Sequence, residues 1–165
     1  MFAVLLTLQA LALASAEYTP EALADQVTNL PGAEKLDFNF NQFSGYLQVN
    51  GSKNMHYWMV ESMNDPATDP VTFWTNGGPG CSGLLGFMSE QGPFRPNKDM
   101  SLSFNDYAWN KVSNMVFVEQ PCGVGFSYSA DDDDYKTNDA QAATDNYFMI
   151  QEFMKRFPEY SSNDL

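Results

Sequence analysis

Apolar and polar residues alternate from 43 to 49, with Phe43, Leu47 and Val49 on one parity. That period buries one face of a β-strand and leaves the other in water. Asn50-Gly51 follows, a pair suited to a tight hairpin turn, and 55–60 is the returning strand. Segment 61–70 carries Asp65-Pro66 and Asp69-Pro70 and predicts a loop. Residues 71–75 predict a buried strand that runs into a glycine-bearing loop, and 84–90 a short helix. Residues 115–119 form an apolar β run, as in a parallel strand covered on both faces. Its next parallel neighbour is expected beyond Leu165.

The clearest helix spans 138–157. Ala143, Tyr147, Ile150, Met154 and Phe157 step by three or four along one face, with Asp145, Glu152 and Lys155 opposite. Asn138 or Thr137 can cap its start, and Pro158 stops it. Near the N-terminus a polar segment, 19–30, has Pro20 at a plausible first helical turn and ends at Pro31-Gly32. There is no internal repeat and no linker. A hairpin followed by alternating strands and helices predicts an α/β fold, with helices packed on the sheet.

A length of 165 residues suits one domain, and 44% hydrophobic residues with 15% aromatics permit a core. The net charge of −13 excludes nucleic acid as a natural partner, since that surface must be basic. An acidic compartment suits such a chain, because protonation relieves its self-repulsion. Residues 1–16 are apolar, end in Ala14-Ser15-Ala16 and precede Glu17, as in a secretory signal peptide cleaved after Ala16. That run is short for a bilayer span, so the mature chain, 17–165, is expected to be soluble and off the membrane. The two cysteines, Cys81 and Cys122, admit a disulfide in a secreted protein, but a buried free thiol is the better reading of Cys122. Asn50-Gly51-Ser52 is a glycosylation sequon on the predicted turn. Asp131 to Asp134 lack the spacing of a calcium loop and read as a solvated loop; no metal and no cofactor is expected.

The chemistry gathers in Phe73-Trp74-Thr75-Asn76-Gly77-Gly78-Pro79-Gly80-Cys81-Ser82-Gly83. Its glycines allow positive φ and close approach to a ligand, and Pro79 stiffens the loop. Bare backbone N–H groups at a strand end suit an anion or a developing oxyanion; a tight structural turn is the alternative. The stretch, with Glu90-x-Gly92-Pro93-Phe94-Arg95, Trp109-Asn110-Lys111, Asn114, Pro121 to Ser129 and Phe157-Pro158-Glu159-Tyr160, closely resembles the serine carboxypeptidases. These are secreted and vacuolar or lysosomal exopeptidases of the α/β-hydrolase fold. The resemblance implies the N-terminal half of such a sheet, an antiparallel hairpin followed by parallel strands with flanking helices.

By that resemblance the Gly78 N–H is one oxyanion donor. Asn76, the Gly77 N–H and Glu90, supported by Trp74, bind the substrate's C-terminal carboxylate, and Leu85 and Ser89 fall near the pocket for the leaving residue. Cys81 would pair with a cysteine far downstream. An α/β-hydrolase places its serine on Gly-x-Ser-x-Gly, ahead of Asp and His. Gly80-Cys81-Ser82-Gly83 has the wrong spacing, Gly125 to Ser129 lacks the last glycine, and His56, the one histidine, precedes every candidate serine. His56 is therefore read as structural. The expectation is a serine-type carboxypeptidase, acting on the C-termini of peptides or proteins through an acyl-enzyme and truncated here before the family's Gly-Glu-Ser-Tyr elbow. A related acyltransferase and a non-catalytic truncated product are the alternatives.

Overall fold

The computed structural model describes residues 18–165, so the signal-peptide reading of 1–16 lies outside the described residues. Thr19 caps the first helix, α1 (Pro20–Ala24), by accepting from the Ala22 N–H, and Pro20 occupies its first turn. α1 ends at Ala24, well before Pro31-Gly32. The predicted hairpin forms as β1 (Gln42–Val49) and β2 (Lys53–Val60), antiparallel, with Gln42 opposite Val60 and Val49 opposite Lys53. Asn50 and Gly51 turn the corner with φ of 52° and 80°, the positive values that this dipeptide tolerates.

β3 (Val71–Thr75), β4 (Phe94–Pro96), β5 (Leu102–Phe104) and β6 (Asn114–Val118) complete the strands. The main sheet has the order β1-β2-β6-β3. β6 is antiparallel to β2 and parallel to β3. This corrects one expectation. The apolar strand near 115–119 is not left with an open edge, because β2 and β3 flank it. Every residue of β6 is buried, as the sequence pattern required, yet the edge that stays unpaired among the described residues belongs to β3.

The two faces of the sheet are covered differently. Val116 and Val118 join Phe43, Tyr57, Met149 and Phe153 in one cluster under α2 (Asp139–Arg156). Met115 and Phe117 join Phe87, Phe94 and Phe40 in the other. α2 begins as predicted, with the Asn138 side chain accepting from the Gln141 N–H at 3.0 Å.

Its buried face is the predicted one only in part: Phe157 is buried and Ile150 and Met154 pack against the core, but the face is rotated at its N-terminal half. Asp145, Met149 and Phe153 point inward, whereas Ala143 and Tyr147 are exposed. Asp145 is buried because Lys53 Nζ, itself buried, donates to it at 2.6 Å, and the Asn50 and Gln141 amides donate at 2.7 and 2.9 Å. Asn50 thus stands on an exposed turn with its side-chain nitrogen already engaged. Asp134 accepts from Ser52 and Ser129, each at 2.6 Å, within the otherwise solvated aspartate run.

A second acidic cluster ties Tyr18 and Tyr160 to the residue that follows β2. Glu61 is buried and accepts from the Tyr18 and Tyr160 hydroxyls and, at 2.9 Å, from the Asn41 N–H. Burial, then the Glu61 carboxylate, push the Tyr18 hydroxyl up to about 12. Neighbouring Glu159 has both carboxyl oxygens buried without a partner among the described residues. Burial pushes it from 4.5 up to about 6; a backbone hydrogen bond opposes the rise and the charge of Glu61 adds to it. A carboxyl whose pKa rises on folding stabilises the fold fully below its unfolded value, and that contribution fades as pH climbs through the folded value. Glu159 should therefore contribute a loss of stability between about pH 4.5 and pH 6.5, while His56, whose imidazole is held low by burial, contributes a gain as pH rises toward its ordinary value. Glu159→Gln should remove the first contribution, so the melting temperature of the variant should rise relative to wild type as pH climbs across this range, which melting curves check.

Candidate active site

β3 ends at Thr75 and delivers the chain into Asn76, Gly77 and Gly78, next to Trp74, which packs on the cluster opposite α2's. Gly78 has φ of 129° and Gly80 of 111°, values that a side chain would make strained. The peptide between Gly78 and Pro79 is cis. Gly77 to Cys81 are exposed, and the N–H groups of Gly77 and Gly78 donate to nothing among the described residues. The loop closes through the Cys81 N–H, which donates to the Gly77 carbonyl at 3.2 Å.

The predicted short helix is present but widened. It enters through Leu84 and Leu85 and becomes a π-type turn, Gly86–Glu90, closed by the Gln91 N–H on the Gly86 carbonyl at 3.1 Å. Widened turns of this sort recur at functional sites. Gly86 lies against the Trp74 indole, where a Cβ would come within 2.5 Å of Nε1. That approach lets Trp74 Nε1 donate to Asn76 Oδ1 at 3.0 Å, and the Gly86 N–H donates to the same oxygen at 3.3 Å. Two donors on one atom settle the amide's orientation: Oδ1 faces Trp74 and Gly86, and Nδ2 remains a donor for something else.

Glu90 lies one turn beyond Gly86 on this helix and is exposed. Its carbonyl is fixed by the Arg95 guanidinium and by Asn105 Nδ2 at 3.2 Å. Leu85 and Ser89 are exposed on the same helix, and the Ser89 hydroxyl donates back to the Leu85 carbonyl at 2.6 Å. The structure therefore brings Trp74, Asn76, Gly77, Gly78, Leu85, Ser89 and Glu90 onto one strand-loop-helix unit.

Three residues that the sequence reading left without a role support this unit. Ser82 receives the Leu84 N–H on its hydroxyl at 3.2 Å and donates to Glu119, a buried carboxylate at the end of β6. Gly83 packs on β6 so closely that a Cβ would meet the Val118 carbonyl oxygen at 2.2 Å. A lone Glu at the end of an apolar strand was the one available sign of Glu119.

His56 is buried in β2, with Ser44 Oγ 3.1 Å from Nε2 and Glu119 Oε2 3.1 Å from Nδ1. The second approach is not aligned as a hydrogen bond with the ring N–H. Burial holds the imidazole below its ordinary value, against the opposing pull of Glu119 and Asp25. Cys122 is a buried free thiol and Cys81 an exposed one, so the two are not bonded to each other. Burial raises the Cys122 thiol.

A mixed sheet covered on both faces, with a rigid glycine loop opening at the C-terminal end of a parallel strand, is the arrangement of an α/β-hydrolase. A sequence profile of the serine carboxypeptidases matches residues 31–165, and the chain belongs to that family. It is 50% identical over 142 residues to the lysosomal protective protein of Mus musculus, covering 86% of this chain and 30% of that protein. It is 46% identical over 151 residues to serine carboxypeptidase-like 32 of Arabidopsis thaliana, covering 88% of this chain and 32% of the relative. The crystal structure of Kex1Δp, a prohormone-processing carboxypeptidase from Saccharomyces cerevisiae, superposes with a TM-score of 0.72 at 25% identity, over 88% of this chain and 35% of that one. The chain spans about a third of the length of these relatives.

Proposed function

We propose that this chain forms the substrate-reading and oxyanion-forming part of a serine-type carboxypeptidase. The nucleophile is supplied by chain that follows Leu165; the two together are called the complete enzyme below. The observation that carries this reading is the Asn76 amide. With Oδ1 held by Trp74 and Gly86, its Nδ2 is a fixed donor beside the unengaged N–H groups of Gly77 and Gly78. Fixed neutral donors suit a substrate carboxylate on one side and a developing oxyanion on the other.

Asn76, Gly77 and Glu90 read the carboxylate, Trp74 orients Asn76, Gly78 donates to the oxyanion, and Leu85 and Ser89 border the leaving residue. Glu90 can face a substrate carboxylate only by carrying a proton, because two carboxylates in contact do not both stay ionised. That requirement favours acidic pH. The apolar leader at 1–16 and the lysosomal relative together support passage through the secretory pathway to an acidic compartment or the cell exterior. The sequon at Asn50 would be modified on that route, the remaining Nδ2 hydrogen still serving Asp145, and Cys81 would find its partner beyond Leu165.

Two variants of the complete enzyme test the reading. Asn76→Ala should lower kcat/KM about tenfold or more for a peptide with a free C-terminal carboxylate, the loss of one charge-assisted hydrogen bond. A C-terminally amidated peptide should be affected far less. Glu90→Gln should weaken the fall of kcat/KM with rising pH, since an amide donates at any pH, and should cost some activity at low pH. A pH profile identical to wild type removes Glu90 as the carboxylate reader.

A further inference from the structure

Beneath the glycine loop lies a buried carboxylate that belongs to none of the substrate contacts proposed above. Glu119 is 1% exposed. One oxygen accepts from Ser82 Oγ, and the other accepts from the Phe126 N–H at 2.7 Å. His56 Nδ1 approaches the second oxygen to 3.1 Å. The main chain holds the same spot: the Glu119 N–H donates to the His56 carbonyl at 3.1 Å, and the Ser127 hydroxyl donates to the Glu119 carbonyl at 2.5 Å. Gly125 leaves the room, since a Cβ there would stand 1.8 Å from the carboxylate.

A carboxylate is costly to withdraw from water, and it is retained only where donors satisfy both oxygens. Here those donors come from two loops. Ser82 is the joint of the first, because its hydroxyl and carbonyl receive the N–H groups of Leu84 and Leu85 and so start the helix that carries Gly86 and Glu90. Phe126 belongs to the second, which leaves the end of β6. An oxyanion donor works only when its direction is fixed before the reaction, and the support that fixes it is a second layer of hydrogen bonds.

We propose that Glu119 is a positioning residue for the oxyanion donor, a clamp that ties the Gly78-bearing loop to the 120–127 loop through Ser82 and Phe126. The proposal rests on the carboxypeptidase reading. Glu119 touches no substrate; it acts through Ser82 on the aim of the Gly78 N–H. Its removal should therefore lower kcat more than it raises KM, because the misaimed donor matters only in the transition state, whereas the helix that Ser82 starts also carries Glu90.

The test uses Glu119→Gln and the gentler Ser82→Ala in the complete enzyme. Gln keeps an acceptor for Ser82 but sets an N–H against the Phe126 N–H. Each variant should lower kcat about tenfold or more, part of what deleting a donor costs, with a smaller rise in KM. The double variant should be no slower than the worse single one, as expected for residues acting as one unit. Amide hydrogen exchange should quicken in segment 81–87 and stay at the wild-type rate in 146–154, whereas a general loss of stability would quicken both. Unchanged kcat in Ser82→Ala overturns the clamp, as do multiplicative effects in the double variant. If the wild-type protein has no peptidase activity, the functional reading fails. The exchange contrast alone then decides the clamp, and equal rates in both segments overturn it.

Discussion

Asp145→Ala in the complete enzyme is expected to cost about 3–5 kcal/mol of stability, the largest loss from any single truncation considered. The reason is what it leaves behind. Lys53 is 4% exposed, and its ammonium lies 2.6 Å from Asp145 but 3.9 Å from Asp134. Without Asp145 a buried cation keeps only a distant partner, and the Asn50 and Gln141 amides lose their acceptor. Lys53→Met should cost less, since the Asn50 and Gln141 donors would still satisfy Asp145. Replacing both charges together, by Lys53→Met with Asp145→Leu, should recover much of the loss, because an apolar pair needs no desolvation. Denaturant unfolding checks this: the midpoint should fall in the order Asp145→Ala below Lys53→Met, at a similar slope. Equal midpoints for Asp145→Ala and wild type would show that water reaches Lys53.

The same pair shows where reading the sequence stops. A helix of 18 residues from Asp139 to Arg156 was legible, since Asn138, Pro158 and the apolar spacing are local signals. Its orientation was not. Asp145 reads as a solvent residue by hydropathy, and only the hairpin's Lys53, 92 residues earlier, makes it an inward one. The hairpin was legible because Asn50-Gly51 sets its own turn, and β3 and β6 because continuous apolar runs need cover on both faces. The order of the sheet was hidden, since nothing local tells β6 to enter between β2 and β3. The three-residue strands β4 and β5 were too short for any period to register.

The candidate site divides in the same way. Trp74, Asn76, Gly77, Gly78, Leu85, Ser89 and Glu90 came from residues contiguous in sequence and from their likeness to a family. Their supports did not. Glu119 lies 37 residues from the Ser82 it holds, and the fit of Gly86 against Trp74 is visible only once the helix folds back over the strand. A motif names the groups that touch substrate; the atoms that hold those groups are set by packing between distant segments.

Residues 17–165 expressed alone should show no carboxypeptidase activity and should associate. Activity should be absent because, in the proposed division of labour, an oxyanion donor without a nucleophile does nothing. Association is expected from the two edges of the sheet. β1 is shielded over its first half: Val27 N–H donates to the Gln42 carbonyl and Ser44 N–H to the Asp25 carbonyl, each at 2.8 Å, and the Arg156 guanidinium donates to the Tyr46 carbonyl. β3 has no such cover. Only its first N–H, that of Val71, is taken, by the Asp164 carbonyl at 2.8 Å, and the rest of its outer edge is unpaired among the described residues. An uncovered strand of Val71, Thr72, Phe73, Trp74 and Thr75 is a template for pairing with another copy. Chain continuing from Asp164 would start beside that edge and could supply the missing strand. Size-exclusion chromatography and thermal melting of the isolated segment, with turnover of a blocked dipeptide at acidic pH, check both claims. A monomer with a cooperative melt would overturn the edge argument. Turnover that persists in His56→Ala and survives controls for contaminants would overturn the division of labour, and with it the reading of this chain as the part that reads substrate without cleaving it.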